Sequence, residues 1–197
     1  MINFFIKKNI IFILLLIGIS LTSCQTENTI NCEIKTTEGS IYIELNPDKA
    51  PITVANFMQY VDKGIYTNSS FFRTCNPANE ADRDVQIEVI QGGYNDESKD
   101  LDSIKLETTK LTRIKHLDGT ISMARDKPNS ATNSFFICIG AQPELDFGGK
   151  RNPDGQGFAA FGKVTKGMNV VLAIQKKKDT SQYLVKPVMI EFIKRID

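Results

Sequence analysis

Few side chains in this sequence are suited to acid, base or metal chemistry. His116 is the single histidine, and no Cys-x-x-Cys or Cys/His spacing indicates a metal site. Arg73 stands out because it directly follows Phe71 and Phe72 near the end of a predicted strand. A guanidinium beside aromatic side chains can donate hydrogen bonds into a dry, apolar pocket. A lone arginine after a strand is nevertheless most often an exposed surface cation. Other parts of the sequence are therefore needed to choose between a surface cation and a functional arginine.

The stretch of residues 121–139 offers a second apolar group that does not belong to the core. Its two ends alternate apolar with smaller or polar residues, which predicts two strands joined by a polar connection at residues 125–132. In the second strand, Phe135 and Phe136 face opposite sides of the sheet. One of them therefore fills the core, and the other is free to line a groove. A barrel wall and a sheet covered by helices both fit this pattern.

The rest of the chain predicts a single domain rich in strands. Residues 32–37 and 40–45 alternate and join at Glu38-Gly39, which is typical of a hairpin. Two helices are predicted, each with one apolar face that packs on the core, at residues 51–64 and 167–177. Further strands are predicted at residues 69–74, 85–91, 158–164 and 186–196, with a short helix near 106–111 and long polar loops at 75–84 and 140–157.

The N-terminus predicts export and lipid attachment. Two lysines precede an apolar run, residues 10–21, which has the length of a signal-peptide core and is shorter than the roughly 20 residues of a membrane span. The run ends in Leu-Thr-Ser-Cys24, which resembles the lipoprotein box of bacterial proteins. An ordinary secretory signal with a chance cysteine is the alternative.

Cleavage before Cys24 divides the chain into three parts. They are a lipoprotein signal peptide at residues 1–23, a polar lipidated tether at residues 24–31 and one domain at residues 32–197. The formal net charge of the sequence is +1, so its charge does not indicate nucleic acid or an anionic membrane surface as the main partner.

The cysteines beyond the lipidation site are odd in number: Cys32, Cys75 and Cys138. An odd number cannot pair completely within one chain, and we expect buried free thiols. A bridge between Cys32 and Cys75 is the alternative that an oxidising compartment allows.

Five short motifs in sequence order carry a family resemblance. They are FFR at 71–73, IQGG at 90–93, SMAR at 122–125, NSFFI at 133–137 and FGKV at 161–164. Together the motifs make the region from about residue 32 to 196 resemble the cyclophilins, which are peptidyl-prolyl cis-trans isomerases. The resemblance implies a mainly β fold, a closed antiparallel barrel of eight strands capped by two helices, with a site along one outer face.

The chemistry that the resemblance implies needs no metal and no cofactor. An X-Pro amide isomerises slowly because its resonance must be lost, at a barrier of about 18–20 kcal/mol. A dry pocket for the proline ring and a donor aimed at the prolyl nitrogen favour the twisted state. Arg73 matches the family's catalytic arginine.

The resemblance also implies which residues bind the substrate. Gln91 matches a glutamine that hydrogen-bonds the peptide backbone, and Phe136 matches the base of the proline pocket. The complete set comprises Phe72, Val89, Gln91, Ala124, Arg125, Ser134, Phe136, Leu145 and Phe158.

Several positions depart from the family pattern. Glu88 stands where an aromatic wall is usual, and Ser134 stands where the family has a glutamine. Arg125 replaces an asparagine, and Phe158 falls where many members have a histidine. The loop at 75–84 is also longer than the usual connection after the catalytic arginine, which could change the aim of that arginine. His116 lies outside the five motifs, and we assign it a structural hydrogen bond rather than a catalytic role.

Three functions follow from these observations. The first is a monomeric prolyl isomerase that is lipid-anchored at Cys24, faces the periplasm, and acts on unfolded or extended proline-containing envelope proteins. The second is a peptide-binding module or chaperone that does not accelerate isomerisation, and the third is a structural lipoprotein. Gln25 follows Cys24 where an aspartate would signal retention at the inner membrane, which favours the outer membrane.

Overall fold

The computed structural model describes residues 28–95 and 97–196. The predicted signal peptide, the predicted lipidation site Cys24 and the first residues of the predicted tether lie outside these ranges. Among the helices of the described ranges, none has the length and apolar character to cross a bilayer.

Within the described ranges, nine antiparallel strands form the sheet, and eight of them close into a barrel. The strands are β1 (Ile30–Thr36), β2 (Gly39–Leu45), β3 (Ser69–Cys75), β4 (Val89–Gly93), β5 (Thr120–Met123), β6 (Phe135–Cys138), β7 (Ala159–Lys166), β8 (Asp179–Thr180) and β9 (Tyr183–Ile196). Their order is β1-β2-β7-β5-β6-β4-β3-β9, and β1 also pairs with β9. The pairing of β1 with β9 removes the free edges and confirms the predicted eight-stranded barrel. β8 adds a short hairpin to β9.

The two longer helices lie where the apolar periodicity predicted them. The helices are α1 (Pro51–Asp62), the short α2 (Thr109–Thr112), which overlaps the short helix predicted near 106–111, and α3 (Met168–Gln175), with single 3₁₀ turns at Glu97–Lys99 and Pro143–Leu145. The predicted helices at residues 51–64 and 167–177 are thus confirmed.

A distant carboxylate satisfies the first turn of α1. Glu107 accepts the backbone N–H of Ile52 at 3.2 Å and that of Thr53 at 2.7 Å. The Thr53 hydroxyl also donates to this carboxylate, at 2.6 Å. A residue far away in sequence therefore takes the capping role.

Aromatic rings fill the barrel interior. Phe57 from α1 lies with its ring centroid 5.2 Å from Phe161, 5.3 Å from Tyr66 and 5.5 Å from Phe135. Phe135 thus belongs to the core, whereas Phe136 belongs to a separate apolar cluster. The alternation along β6 predicted this division correctly.

The strand predicted at residues 85–91 begins later than expected. β4 starts at Val89, and residues 85–88 lie in the loop that follows β3. Side chains engage the backbone there, since Arg151 donates to the carbonyl of Val85 at 2.6 Å and Glu80 accepts the N–H of Ile87 at 3.3 Å. These bonds replace the ladder bonds that would extend the strand.

The three cysteines of the described chain are buried free thiols, as expected, and the alternative bridge between Cys32 and Cys75 is not formed. Burial raises the pKa of the Cys75 thiol to about 11. The thiols are therefore protonated at neutral pH and unreactive as nucleophiles.

Candidate active site

A row of paired residues crosses three neighbouring strands on the outer face of the barrel. Arg73 on β3 pairs with Gln91 on β4, and Gln91 pairs with Phe136 on β6. Strands lie about 4.8 Å apart, so the Cα atoms of Arg73 and Phe136 are about 10 Å apart. A shift in register between Phe71 and Arg73 lets Phe72 and Arg73 both turn outward.

These residues line a groove of about 840 Å³. All ten residues that the sequence singled out for this site contribute to its lining, namely Phe72, Arg73, Val89, Gln91, Ala124, Arg125, Ser134, Phe136, Leu145 and Phe158. Elements far apart in sequence converge here: β3, β4, β6 and the loop from residue 139 to 158. The groove also includes residues that the motifs did not single out, among them Ile87, Tyr94, Arg151 and Tyr183.

An apolar recess forms the floor of the groove. Phe136 is 4% exposed and meets Phe158 edge to face, with ring centroids 5.3 Å apart. Val89 and Leu145 belong to the same cluster. The N–H of Phe158 donates to the carbonyl of Leu145 at 2.9 Å, which holds the two walls together. A ring of proline size suits such a recess.

His116 supports this floor from beneath. Its ring stacks on that of Phe136 at 5.9 Å and 15°. Nδ1 lies 2.9 Å from the Asp146 carboxylate, and Nε2 lies 3.0 Å from the Ser122 hydroxyl. Because the carboxylate can only accept, Nδ1 carries the proton and the Ser122 hydroxyl donates to Nε2. Burial lowers the pKa of His116, so the ring is neutral at pH 7.

The partners of His116 are those of a hydrolase triad, but their burial gives them another role. Ser122 is 0% exposed and His116 is 1% exposed, so no substrate can reach the hydroxyl. The structural hydrogen bond expected of His116 is confirmed.

The Arg73 guanidinium is held on two sides. Nη1 donates to Oε1 of Gln91 at 2.8 Å, while Nε and Nη2 donate to Oε1 of Gln182 at 3.0 and 2.5 Å. A guanidinium has five N–H groups, and these three bonds leave two for a ligand. Because Oε1 of Gln91 accepts from Arg73, its Nε2 remains a donor for a peptide carbonyl.

Arg125 lies at the groove but uses its side chain elsewhere. The side chain is 1% exposed, and its guanidinium donates to the carbonyl of Gly157 at 2.8 and 2.6 Å. It also makes two bonds to the Asp154 carboxylate, at 2.8 and 2.9 Å, and lies 5.3 Å from the ring centroid of Phe158. The side chain therefore anchors the loop that carries Phe158, and only the main chain of Arg125 is left to face a peptide.

The acidic residue that departs from the family pattern turns away from the groove. The Glu88 carboxylate accepts a hydrogen bond from Nε2 of Gln175 on α3 at 3.1 Å. Ile87 and Val89, on either side of it, line the groove instead. Ile87 was not among the residues singled out from the sequence, although the period-two alternation of residues 85–91 puts it on the face of Gln91 and could have identified it.

The side chain of Ser134, which is shorter than the glutamine of the family, forms a hydrogen bond with a neighbouring loop. Its hydroxyl donates to the carbonyl of Tyr94 at 3.2 Å, and its own carbonyl accepts the N–H of Ala124 at 2.9 Å. Within the described ranges, no group of His, Cys, Asp and Glu side chains is arranged to hold a metal ion.

Comparisons with known proteins agree with this geometry. Residues 31–195 match the family model for "Cyclophilin type peptidyl-prolyl cis-trans isomerase/CLD". A peptidyl-prolyl cis-trans isomerase of Streptomyces antibioticus is 34% identical over 170 residues, covering 82% of this chain and 96% of that protein. Peptidyl-prolyl cis-trans isomerase B of Escherichia coli is 34% identical over 139 residues, covering 69% of this chain and 78% of that protein.

Solved structures agree on the fold. A cyclophilin-type peptidyl-prolyl cis-trans isomerase of Cryptosporidium parvum superposes with a TM-score of 0.68 at 21% identity, covering 86% of this chain and 99% of the other. A second structure of that protein, in the presence of the dipeptide Ala-Pro, gives the same TM-score at 22% identity, with coverages of 85% and 99%. The barrel, the family match and the sequence relatives together show that this chain belongs to the cyclophilin-type peptidyl-prolyl cis-trans isomerases.

Proposed function

We propose that this isomerase acts on X-Pro bonds in unfolded or extended proteins of the cell envelope, with Arg73 as its catalytic residue. The observation that carries the proposal is the row of Arg73, Gln91 and Phe136 across one groove. In this row a guanidinium, a side-chain amide and an apolar recess lie side by side, as the proposed mechanism requires.

Each member of the row has a distinct task in the proposed mechanism. Phe136 and its neighbours receive the proline ring, and Nε2 of Gln91 donates to a backbone carbonyl of the peptide. As the amide twists, the prolyl nitrogen gains a lone pair, and Arg73 donates a hydrogen bond to it. A donor that meets charge only in the transition state is worth about 10²–10³ in rate.

The location of the enzyme rests on the N-terminal sequence. The apolar run and Cys24 support lipid attachment, with residues 24–31 as the tether, and Gln25 supports the outer membrane. A lipid-anchored monomer facing the periplasm would meet exported chains before they fold. The cyclophilin solved in the presence of Ala-Pro supports proline-containing chains as the partners.

The catalytic proposal is tested by the cis-to-trans relaxation of X-Pro peptides. The full chain in detergent and its Arg73→Ala variant are compared over a series of residues before proline. We expect Arg73→Ala to lower kcat/KM about 10²–10³-fold. Arg83→Ala is the matched control, because Arg83 is exposed and also lines the groove.

Three outcomes would contradict the catalytic proposal. Equal losses in Arg73→Ala and Arg83→Ala would mean that general charge, not the position of Arg73, matters. Full activity of Arg73→Ala would remove its catalytic role. A folded wild type that binds proline peptides without accelerating them would favour the chaperone hypothesis.

The location is tested separately by membrane fractionation. We expect the wild-type chain in the outer-membrane fraction and Cys24→Ser in the soluble periplasmic fraction. Recovery of both in the soluble fraction would exclude lipid anchoring.

A further inference from the structure

Gln182 occupies a backbone position that a glutamine rarely adopts. It follows Ser181 in the two-residue turn between β8 and β9, and the φ angles are 51° for Ser181 and 76° for Gln182. Hairpin turns with two positive φ angles favour Asn, Asp and Gly. A long side chain held at positive φ is strained and points to a function for that side chain.

The side chain of Gln182 bridges the proposed catalytic arginine to a buried carboxylate. Its Oε1 accepts from Nε and Nη2 of Arg73 at 3.0 and 2.5 Å. Its Nε2 donates to Oε1 of Glu80 at 2.5 Å. The oxygen and the nitrogen of this amide thus form hydrogen bonds with residues from two different parts of the chain.

Glu80 fixes the direction of this amide. The residue is 0% exposed, and Arg151 donates to both of its oxygens, at 2.5 and 2.9 Å. Burial alone would raise the pKa of Glu80, but the bonds and charge of Arg151 lower it below its ordinary value. An ionised carboxylate accepts only, so Nε2 of Gln182 must face Glu80 and Oε1 must face Arg73.

The long loop after β3 carries Glu80 to the side chain of Gln182. Arg151, from the loop between β6 and β7, holds this long loop in place by donating to the carbonyl of Val85. The guanidinium of Arg73 is therefore held between Gln91 on one side and the Gln182–Glu80–Arg151 network on the other. Without Gln182, Gln91 alone would hold it.

We propose that Gln182, oriented by Glu80 and Arg151, is a positioning residue that fixes the plane of the Arg73 guanidinium for isomerisation. The proposal rests on the proposed function, in which Arg73 donates to the prolyl nitrogen. Binding of the proline ring at Phe136 does not depend on this network. Loss of Gln182 therefore affects turnover more than substrate binding.

Two glycine variants of the full chain separate positioning from folding. Gln182→Gly and Ser181→Gly each place glycine at a positive φ angle of the same turn, so both relieve strain. Glycine at 182 retains the carbonyl that accepts the N–H of Thr74 at 2.8 Å. No described hydrogen bond connects the Ser181 side chain to Arg73. Of the two variants, only Gln182→Gly removes one of the acceptors of the Arg73 guanidinium.

We expect both variants to fold, Ser181→Gly with an unfolding temperature at or above that of the wild type and Gln182→Gly with a lower one, because it loses the bonds to Arg73 and Glu80. Gln182→Gly should lower kcat/KM roughly ten- to hundred-fold, mainly through kcat, as expected when a catalytic group is misplaced. Ser181→Gly should stay within about twofold of wild type, since it leaves the reacting groups in place. Gln182→Asn, which also tolerates positive φ but is one methylene too short to reach, should repeat the loss and serves if the glycine variant does not fold.

The Arg73→Lys background provides the decisive comparison. Lysine cannot make the paired bonds to Oε1 of Gln182, so Gln182→Gly should have little further effect there. An equal loss in both backgrounds, or full activity of folded Gln182→Gly and Gln182→Asn, would overturn the proposal. If Arg73→Ala proves fully active, the proposed function fails instead, which is a different result from an essential Arg73 with a dispensable Gln182.

Discussion

The two Arg–Asp pairs of this barrel allow the value of the buried Arg125 anchor to be measured against an internal reference. Arg125 and Asp154 make two bonds, at 2.8 and 2.9 Å, with side chains 1% and 27% exposed. Arg195 and Asp62 make two bonds of 3.0 and 2.9 Å, with side chains 51% and 52% exposed. Both pairs are bidentate at similar distances, through Nη1 and Nη2 of Arg125 and through Nε and Nη2 of Arg195, and their exposure differs.

Replacing each arginine by lysine keeps the charge and removes the planar fork. Arg125→Lys loses at least two charge-assisted hydrogen bonds in a buried site, and we expect the free energy of unfolding to fall by about 2–3 kcal/mol. The unfolding temperature should then fall by roughly 5–10 °C for a domain of this size. Arg195→Lys should lower the free energy of unfolding by less than about 1 kcal/mol, because solvent screens the exposed pair.

The same variant should affect substrate binding. Arg125 holds the loop through the carbonyl of Gly157, and Phe158 follows directly in that loop. With the anchor weakened, Phe158 no longer covers the proline recess at all times. We expect KM for an X-Pro peptide to rise several-fold with kcat nearly unchanged, because Arg73 is untouched.

Urea unfolding of Arg125→Lys, Asp154→Asn and the double variant measures the pair directly. We expect a coupling energy above about 1 kcal/mol for this pair and below about 0.5 kcal/mol for the cycle at Arg195 and Asp62. Equal coupling energies for the two pairs would refute the reasoning, because burial would then not strengthen the anchor. An unchanged KM in Arg125→Lys would refute its link to the recess.

Two further predictions concern stability. Because burial lowers the pKa of His116, the free energy of unfolding should fall as the pH drops below about 6.5, by at most about 1.4 kcal/mol per pH unit. His116 is the only histidine, so urea titrations from about pH 7.5 to 5.5 should lose this slope in His116→Gln; a slope that persists would contradict the assignment. Glu107→Gln should lower the free energy of unfolding by about 1 kcal/mol without changing isomerase activity, because it weakens the acceptor of the first N–H groups of α1. Unaltered stability would show that the charge on this cap contributes nothing.

Local patterns in the sequence predicted the strands and the two faces of the groove wall, whereas the closed barrel and most of the groove lining were implied by the family resemblance. Alternation with a period of two places Phe135 and Phe136 on opposite faces of the sheet, so that only one of them fills the core, whatever the rest of the chain does. The same period places Ile87, Val89 and Gln91 on one face, although β4 begins only at Val89. The motifs added the identity of neighbouring strands, which alternation alone does not give.

The sequence did not predict the polar contacts that hold the site, because their partners are far apart along the chain. Arg73 and Gln182 are 109 positions apart, and Arg151 and Glu80 are 71 positions apart. Every charged residue has many candidate partners of opposite sign, and spacing does not select among them. Only the closed barrel brings the turn before β9 beside β3.

The contacts of Arg125 and Phe158 show that these two departures from the family pattern depend on one another. Arg125 and Phe158 are two separate substitutions in the sequence, yet the guanidinium of one lies over the ring of the other. An arginine at 125 would be an unpaired buried charge without Asp154 and the carbonyl of Gly157. Phe158 in turn provides an apolar surface that covers both the guanidinium and Phe136. These departures therefore form one interdependent wall of the groove, and reversing a single member should harm the site more than the sequence pattern suggests.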